Sequence, residues 1–190
     1  MKRQLLLVRH CAVDERFKGV CYGGQTDVGL SDQGIAQNKA LAARLARLGP
    51  ARIFHSGLSR TQVLAEEIAA LVDVPLLEDK RLTELDFGTW EGRSWDEIFG
   101  EVGHDMVRLM SEPETYAPHG GETIFEVRDR VMGWHGELGT LGVADGAAAG
   151  VTIAISHGGP ISALLGTLGN VSVSDWPGLI PAYGEVRDVS

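Results

Sequence analysis

Leu5-Leu6-Leu7-Val8-Arg9-His10 is an apolar run without alternation that stops abruptly at a cation and an imidazole. Four consecutive aliphatic residues suit a short strand buried on both faces, the kind found in parallel sheets. The figure recurs twice. Ala51 to His55 ends in His55-Ser56 with Arg60 close behind, and Val151 to Ile155 ends in Ser156-His157. Helical patterns lie between these strands. Ser31 opens a helix whose apolar face is Ile35, Leu41, Leu45 and Leu48, ended by Gly49-Pro50. Ser59-Arg60-Thr61-Gln62 has capping-box spacing and begins a helix carrying Leu64, Ile68 and Leu71. Ser94 to Glu97 and Thr123 to Glu126 share that spacing, and the second precedes a stripe of Ile124, Val127, Val131, Trp134 and Leu138. Gly158-Gly159 turns the last strand into a helix with Pro160 near its first turn. Strands alternating with helices predict an α/β fold, a three-layer α/β/α sandwich around a mainly parallel central sheet.

Residues 1–190 fit one domain, long enough to bury about 70% of the extended chain's surface without staples. No linker or repeat divides it, and the Ala/Gly stretch from Gly142 to Gly150 reads as a surface loop. Two cysteines, Cys11 and Cys21, are too few for a disulfide framework and suit a reducing compartment. Met1-Lys2-Arg3-Gln4 precedes an apolar run too short for a signal peptide or a membrane span, so the expectation is a cytoplasmic protein with no membrane partner. The net charge of −9 disfavours a nucleic-acid partner, which calls for a broad basic surface. The charge is uneven: residues 1–95 hold 13 basic and 12 acidic side chains, residues 96–190 hold 4 and 14. Cations for an anionic ligand must come mostly from the first half.

In open α/β sheets ligands bind beyond the carboxyl ends of the strands. Arg9, His10, His55, Arg60 and His157 should therefore converge at one sheet edge. Arg60 adds a separate signal. It falls in the first turn of a helix, where the macrodipole disfavours a cation by roughly 0.3–1 kcal/mol unless an anion sits between them.

Leu7-Val8-Arg9-His10, Ser56 through Arg60-Thr61, Leu82-Thr83-Glu84-Leu85-Asp86-Phe87-Gly88-Thr89-Trp90-Glu91-Gly92, Gly120-Gly121-Glu122 and Ser156-His157-Gly158-Gly159 follow in order. From residue 5 to about 168 the chain resembles the histidine phosphatase superfamily, also called phosphoglycerate mutase-like. The resemblance implies a histidine acid phosphatase-type phosphomonoesterase. Its nucleophile would be His10, phosphorylated transiently, and its general acid Glu84. Arg9, Arg60 and His157, with Gly158 beside them, would hold the phosphate. A neutral imidazole can attack phosphorus in line, and the charge on the equatorial oxygens suits planar bidentate donors. With those donors in place no metal and no cofactor is implied. Glu84 must be protonated as the ester breaks; arginines oppose that and burial against Phe87 and Trp90 favours it. Asp86 is the fallback acid, with Glu91 as scaffolding.

The chain departs from the family pattern after the nucleophile. Cys11 stands where glycine is usual, implying a different loop geometry, with Val13 and Phe17 replacing other frequent residues. A thiolate phosphatase on Cys11 is disfavoured, because four residues rather than five separate it from Arg16, and Asp14 and Glu15 would repel phosphate. The cysteines and histidines lack metal-ligand spacing. His104 and His135 read as surface or packing residues, His55 and His119 as packing residues or pocket rim, and Arg16 and Lys18 as loop cations near the rest of a substrate. The expected function is hydrolysis of a small phosphorylated metabolite. The Tyr22-Gly23 loop and Thr26-Asp27 ahead of Leu30 look similar to α-ribazole phosphatases, making α-ribazole phosphate one candidate. Alternatives are a phosphoglycerate mutase, disfavoured by the modest stretch between Glu84 and Gly121, and a catalytically silent phosphate-binding module. Exposed parts of Trp90, Trp95 or Trp176 would support a homodimer.

Overall fold

Gln4–Arg9 (β1) runs through the interior of one five-stranded sheet in a computed structural model that describes residues 4–138 and 150–189. Val151–Ser156 (β4) lies on one side of it and Val186–Asp188 (β5) on the other. Pro50–His55 (β2) flanks β4, and Leu76–Glu78 (β3) forms the far edge. Every pairing is parallel except β1 with β5. Residues 142–149 of the expected Ala/Gly loop lie outside the described residues.

The uninterrupted apolar runs follow from burial of both sheet faces. Leu5 and Leu7 join a cluster with Phe54, Trp134, Ala154 and Leu164, whereas Leu6 and Val8 join Leu45, Ile53, Leu64 and Ile153. The first face is covered by Ile124–Glu137 (α5) and Gly158–Leu168 (α6), the second by Asp32–Ala46 (α1) and Ser59–Ala69 (α2). Trp95–Val102 (α3) and Arg108–Ser111 (α4) add Ile98 and Leu109 to the first cluster. This is the three-layer α/β/α arrangement with a mainly parallel sheet.

Local rules held where nothing tertiary competed. Ser94 and Thr123 make full capping boxes with Glu97 and Glu126. The box expected at Ser59 does not form. Leu58 is the N-cap of α2 without a side-chain bond, and the Ser59 N–H and hydroxyl both donate to Asp27, at 2.9 and 2.5 Å. An outside carboxylate thus satisfies that helix end and ties it to the 21–27 loop. Three expected core residues, Ile35, Leu48 and Leu71, are exposed. Leu48 and Leu71 lie past the ends of α1 and α2, and the buried face of α1 takes Gly34 and Asn38 instead of Ile35; Gly34 lies so close to Ala12 that a side chain would strike its carbonyl.

Candidate active site

The sheet register brings the expected residues to one edge. Arg9 pairs with Ser156, and the His10 N–H donates to the Ser156 carbonyl at 3.1 Å, so the ends of β1 and β4 are tied together. His10 is almost wholly buried, and its Nδ1–H donates to the Cys11 carbonyl at 2.8 Å. A carbonyl can only accept, so this bond fixes the neutral tautomer and leaves the lone pair on Nε2. Burial first, and then the Arg60 charge, lower its pKa to about 3. The ring is therefore unprotonated throughout the physiological range, with a lone pair free on Nε2.

Arg60 is fully buried in the first turn of α2. Its Nη2 donates to the Gly23 carbonyl at 2.9 Å, its Nη1 to the Thr26 carbonyl at 3.0 Å, and its Nε to His157 Nδ1 at 3.2 Å. Among the described residues no carboxylate lies within ion-pairing distance of it. A buried cation held only by neutral acceptors costs several kcal/mol unless an anion joins it. Burial accordingly pushes its pKa below the usual guanidinium value, with Glu84, Tyr22, Asp27 and Glu91 opposing. Arg9 is similar: Nη1 donates to the Pro181 carbonyl at 2.7 Å, the guanidinium lies 4.2 Å from the Tyr183 ring centre, and Nε is buried without a partner.

His157 sits between these groups with its ring centre 5.2 Å from that of His10. Because Nδ1 accepts from Arg60, the neutral ring carries its proton on Nε2, which donates to Ser56 Oγ at 2.8 Å. Ser56 then donates to Thr61 Oγ1, and Thr61 to the Leu58 carbonyl. Both nitrogens of His157 are thus engaged, and direct donation to a phosphate would require the Ser56 bond to break. Burial and the neighbouring Arg60 hold its pKa well below the usual value.

Glu84 enters from the loop after β3. Its Oε1 accepts the N–H groups of Leu85 and Gly159 at 2.9 and 3.0 Å, against the N-terminal end of α6. A Cβ on Gly158 would sit 3.7 Å from both Glu84 Oε2 and Arg9 Cζ, so these two groups flank that glycine. Arg130 on α5 anchors the Glu84 carbonyl and is itself paired with Glu122. Asp86 accepts from Gly88 and Gln25, which leaves it outside the cavity as scaffolding. Glu91 receives Gln25, Thr26 and Phe87 and so joins the 21–27 loop, which supplies the acceptors for Arg60, to the Glu84 loop.

Cys11 does not distort its turn. Among the described non-glycine residues only Asn170 has a positive φ, and Cys11 is buried on the α1 side of the sheet near Gly184. Burial raises its thiol to about 11, so it holds no thiolate. His55 is buried away from the cavity and accepts the Gly57 N–H; His104 packs edge-on to Phe99. His119 is exposed and outside the cavity lining, and His135 is half-buried on α5. Arg16 is tied to Asp14, whereas Lys18 lines the cavity mouth. Of the three tryptophans whose exposed parts were expected to support a dimer, Trp90 and Trp176 are core residues, 5% and 4% exposed, and Trp95 is half-buried. Among the described residues no cluster of three or more His, Cys, Asp or Glu has a metal-binding arrangement, and no helix is long and apolar enough to cross a membrane. Sequence reasoning missed Tyr183 and the Pro181 carbonyl, which pack on Arg9, and Tyr22, whose hydroxyl meets that of Tyr183 at 2.6 Å.

The two buried histidines make a pH prediction. Both are neutral when folded and take up protons on unfolding below about pH 6.5, so the stability they contribute is present above that pH and lost as pH falls below it, for His10 down to about 3. Urea unfolding should show a loss of about 2 kcal/mol between pH 7 and pH 5.5, where carboxylates hardly titrate. A midpoint unchanged over that interval would contradict the burial assigned to these rings.

The family model of the histidine phosphatase superfamily (branch 1) matches residues 5–189. A phosphoserine phosphatase 1 of Hydrogenobacter thermophilus is 34% identical over 135 residues, 71% of this chain and 64% of that protein, just under two thirds of its length. A glucosyl-3-phosphoglycerate phosphatase of Mycolicibacterium vanbaalenii is 34% identical over 178 residues, covering 92% of this chain and 78% of the relative. Among solved structures, a mycobacterial glucosyl-3-phosphoglycerate phosphatase superposes with a TM-score of 0.83 at 27% identity, over 99% of this chain and 90% of that one.

Proposed function

The chain belongs to the histidine phosphatase superfamily, branch 1, and from that premise we propose that it hydrolyses a small phosphomonoester through a phosphohistidine on His10. One observation carries the reading: an unprotonated, buried imidazole lies beside two arginines whose charges meet no carboxylate within ion-pairing distance among the described residues. In the first step the Nε2 lone pair of His10 forms a bond to phosphorus as the ester P–O bond breaks. The departing alkoxide takes a proton from Glu84, through Oε2. In the second step Glu84 accepts a proton from water, the oxygen bonds to phosphorus, and the P–N electrons return to Nε2. Arg9 and Arg60 stabilise the equatorial oxygens throughout, and His157 acts by holding Arg60.

The relatives act, by their names, on phosphoserine and glucosyl-3-phosphoglycerate, which supports a phosphorylated metabolite as substrate; α-ribazole phosphate stays a candidate on the sequence resemblance alone. The test is phosphate release from a panel of phosphomonoesters by enzyme stripped with chelator. Turnover that survives stripping is expected. Isomerised phosphoglycerate with no free phosphate would replace this reading by a mutase, and phosphate binding without turnover on any ester would replace it by a silent module.

A further inference from the structure

His10, Arg9 and Glu84 occupy only one end of a cavity of about 550 Å³, a size that accommodates an organic ligand rather than phosphate alone. Much of the remaining wall is apolar, lined by Phe87, Trp95, Leu109, Ile124, Val127 and Trp176. Phe87 and Trp95 meet edge to face at 5.5 Å, forming one aromatic side. The polar groups on that wall are largely spent within the protein. The Ser162 hydroxyl donates to the Gly159 carbonyl, the Trp176 indole N–H to the Val171 carbonyl, and the hydroxyls of Tyr22 and Tyr183 bond to each other. Beyond Arg9 the one cationic side chain lining the cavity among the described residues is Lys18, beside Asp14 and Glu15. A second anionic group on the substrate would find little to hold it.

Resting on the phosphatase reading above, we propose that the leaving group is a bulky, neutral, apolar alcohol bearing a fused aromatic ring. Phosphate held at Arg9, with the buried Arg60 charge behind it, places the ester oxygen near Glu84, and the carbon skeleton then extends between Phe87, Trp95 and Trp176. Polyhydroxylated or carboxylated alcohols would leave their polar groups buried without partners, a cost that lowers their kcat/KM. Each methylene buried against this wall is worth about fourfold in affinity, and ring contacts with the aromatic side add to it.

The test compares esters of primary alcohols, so that leaving-group chemistry is matched: 2-(1-naphthyl)ethyl phosphate against 2-hydroxyethyl phosphate and phosphoserine. The naphthyl ester is expected to have a kcat/KM at least about 100-fold higher, mainly through a lower KM. Trp95→Ala should narrow that ratio to about tenfold. If that variant fails to fold, the comparison in the native protein decides alone. A ratio near or below one, with all three esters hydrolysed, would overturn the apolar assignment and leave the phosphatase reading standing. No hydrolysis of any of them, with no phosphate on His10, would overturn both.

Discussion

Replacing His10 by alanine is expected to lower kcat for phosphomonoester hydrolysis by at least about 10³-fold, the largest effect of any single substitution in this chain. The other groups near it cannot substitute. Cys11 is buried with its thiol raised to about 11, and His157 has both nitrogens engaged. What survives in the variant is binding: Arg9 and Arg60 still present their charges, so inorganic phosphate should compete with substrate about as before. His10→Gln, closer in volume and able to bond the Cys11 carbonyl, should fail equally. Native-like activity in either variant would remove the nucleophile from the account.

Arg60→Met is expected to lower kcat/KM by about 10²–10³-fold. Two opposing terms set its effect on folding. The substitution removes a buried charge with no carboxylate within ion-pairing distance, a penalty of several kcal/mol. It also abolishes charge-assisted hydrogen bonds to Gly23, Thr26 and His157, each worth about 1.5–3 kcal/mol. These nearly balance, so the melting temperature should move little. Linkage to ligand should change much more: phosphate should raise the melting temperature of the native protein and not that of the variant. Arg60→Lys should rescue little, since an ammonium cannot reach three acceptors arranged for a planar fork. A variant still stabilised by phosphate would show that Arg60 is structural.

The parts of the fold legible in the sequence were those buried on both sides. Strands β1, β2 and β4 are read directly because two dry faces demand uninterrupted aliphatic residues. Strands β3 and β5 were not, since each is a three-residue edge segment paired through its backbone. The apolar periodicity of α1 and α2 overreached at Ile35, Leu48 and Leu71, where exposed leucine or isoleucine costs too little to be excluded. At the site, Arg9, His10, Arg60 and His157 were legible because α/β topology places strand ends together, whereas Glu84 was read from the family resemblance and His55 lies outside the cavity. The second layer was not. The carbonyls of Gly23 and Thr26 that hold Arg60 carry no side-chain signature, and Tyr183 reaches Arg9 from the segment before β5. The bond from Ser59 to Asp27 was hidden for the same reason: its partner lies 32 residues away.

The uneven charge acquires a structural meaning. The acidic second half supplies Glu122, which holds Arg130, and Arg130 in turn carries the Glu84 carbonyl. Of the two first-half arginines proposed to hold phosphate, Arg60 is buried and Arg9 half-buried, so together they add little basic surface.

Trapping the intermediate decides whether His10 carries the phosphoryl group. Enzyme mixed with phosphate-labelled ester and quenched within milliseconds should carry label that is stable to base, labile to acid, and located on His10 by peptide mapping. Label resting on another residue, or full turnover with no labelled protein at any time point, would contradict that role for His10.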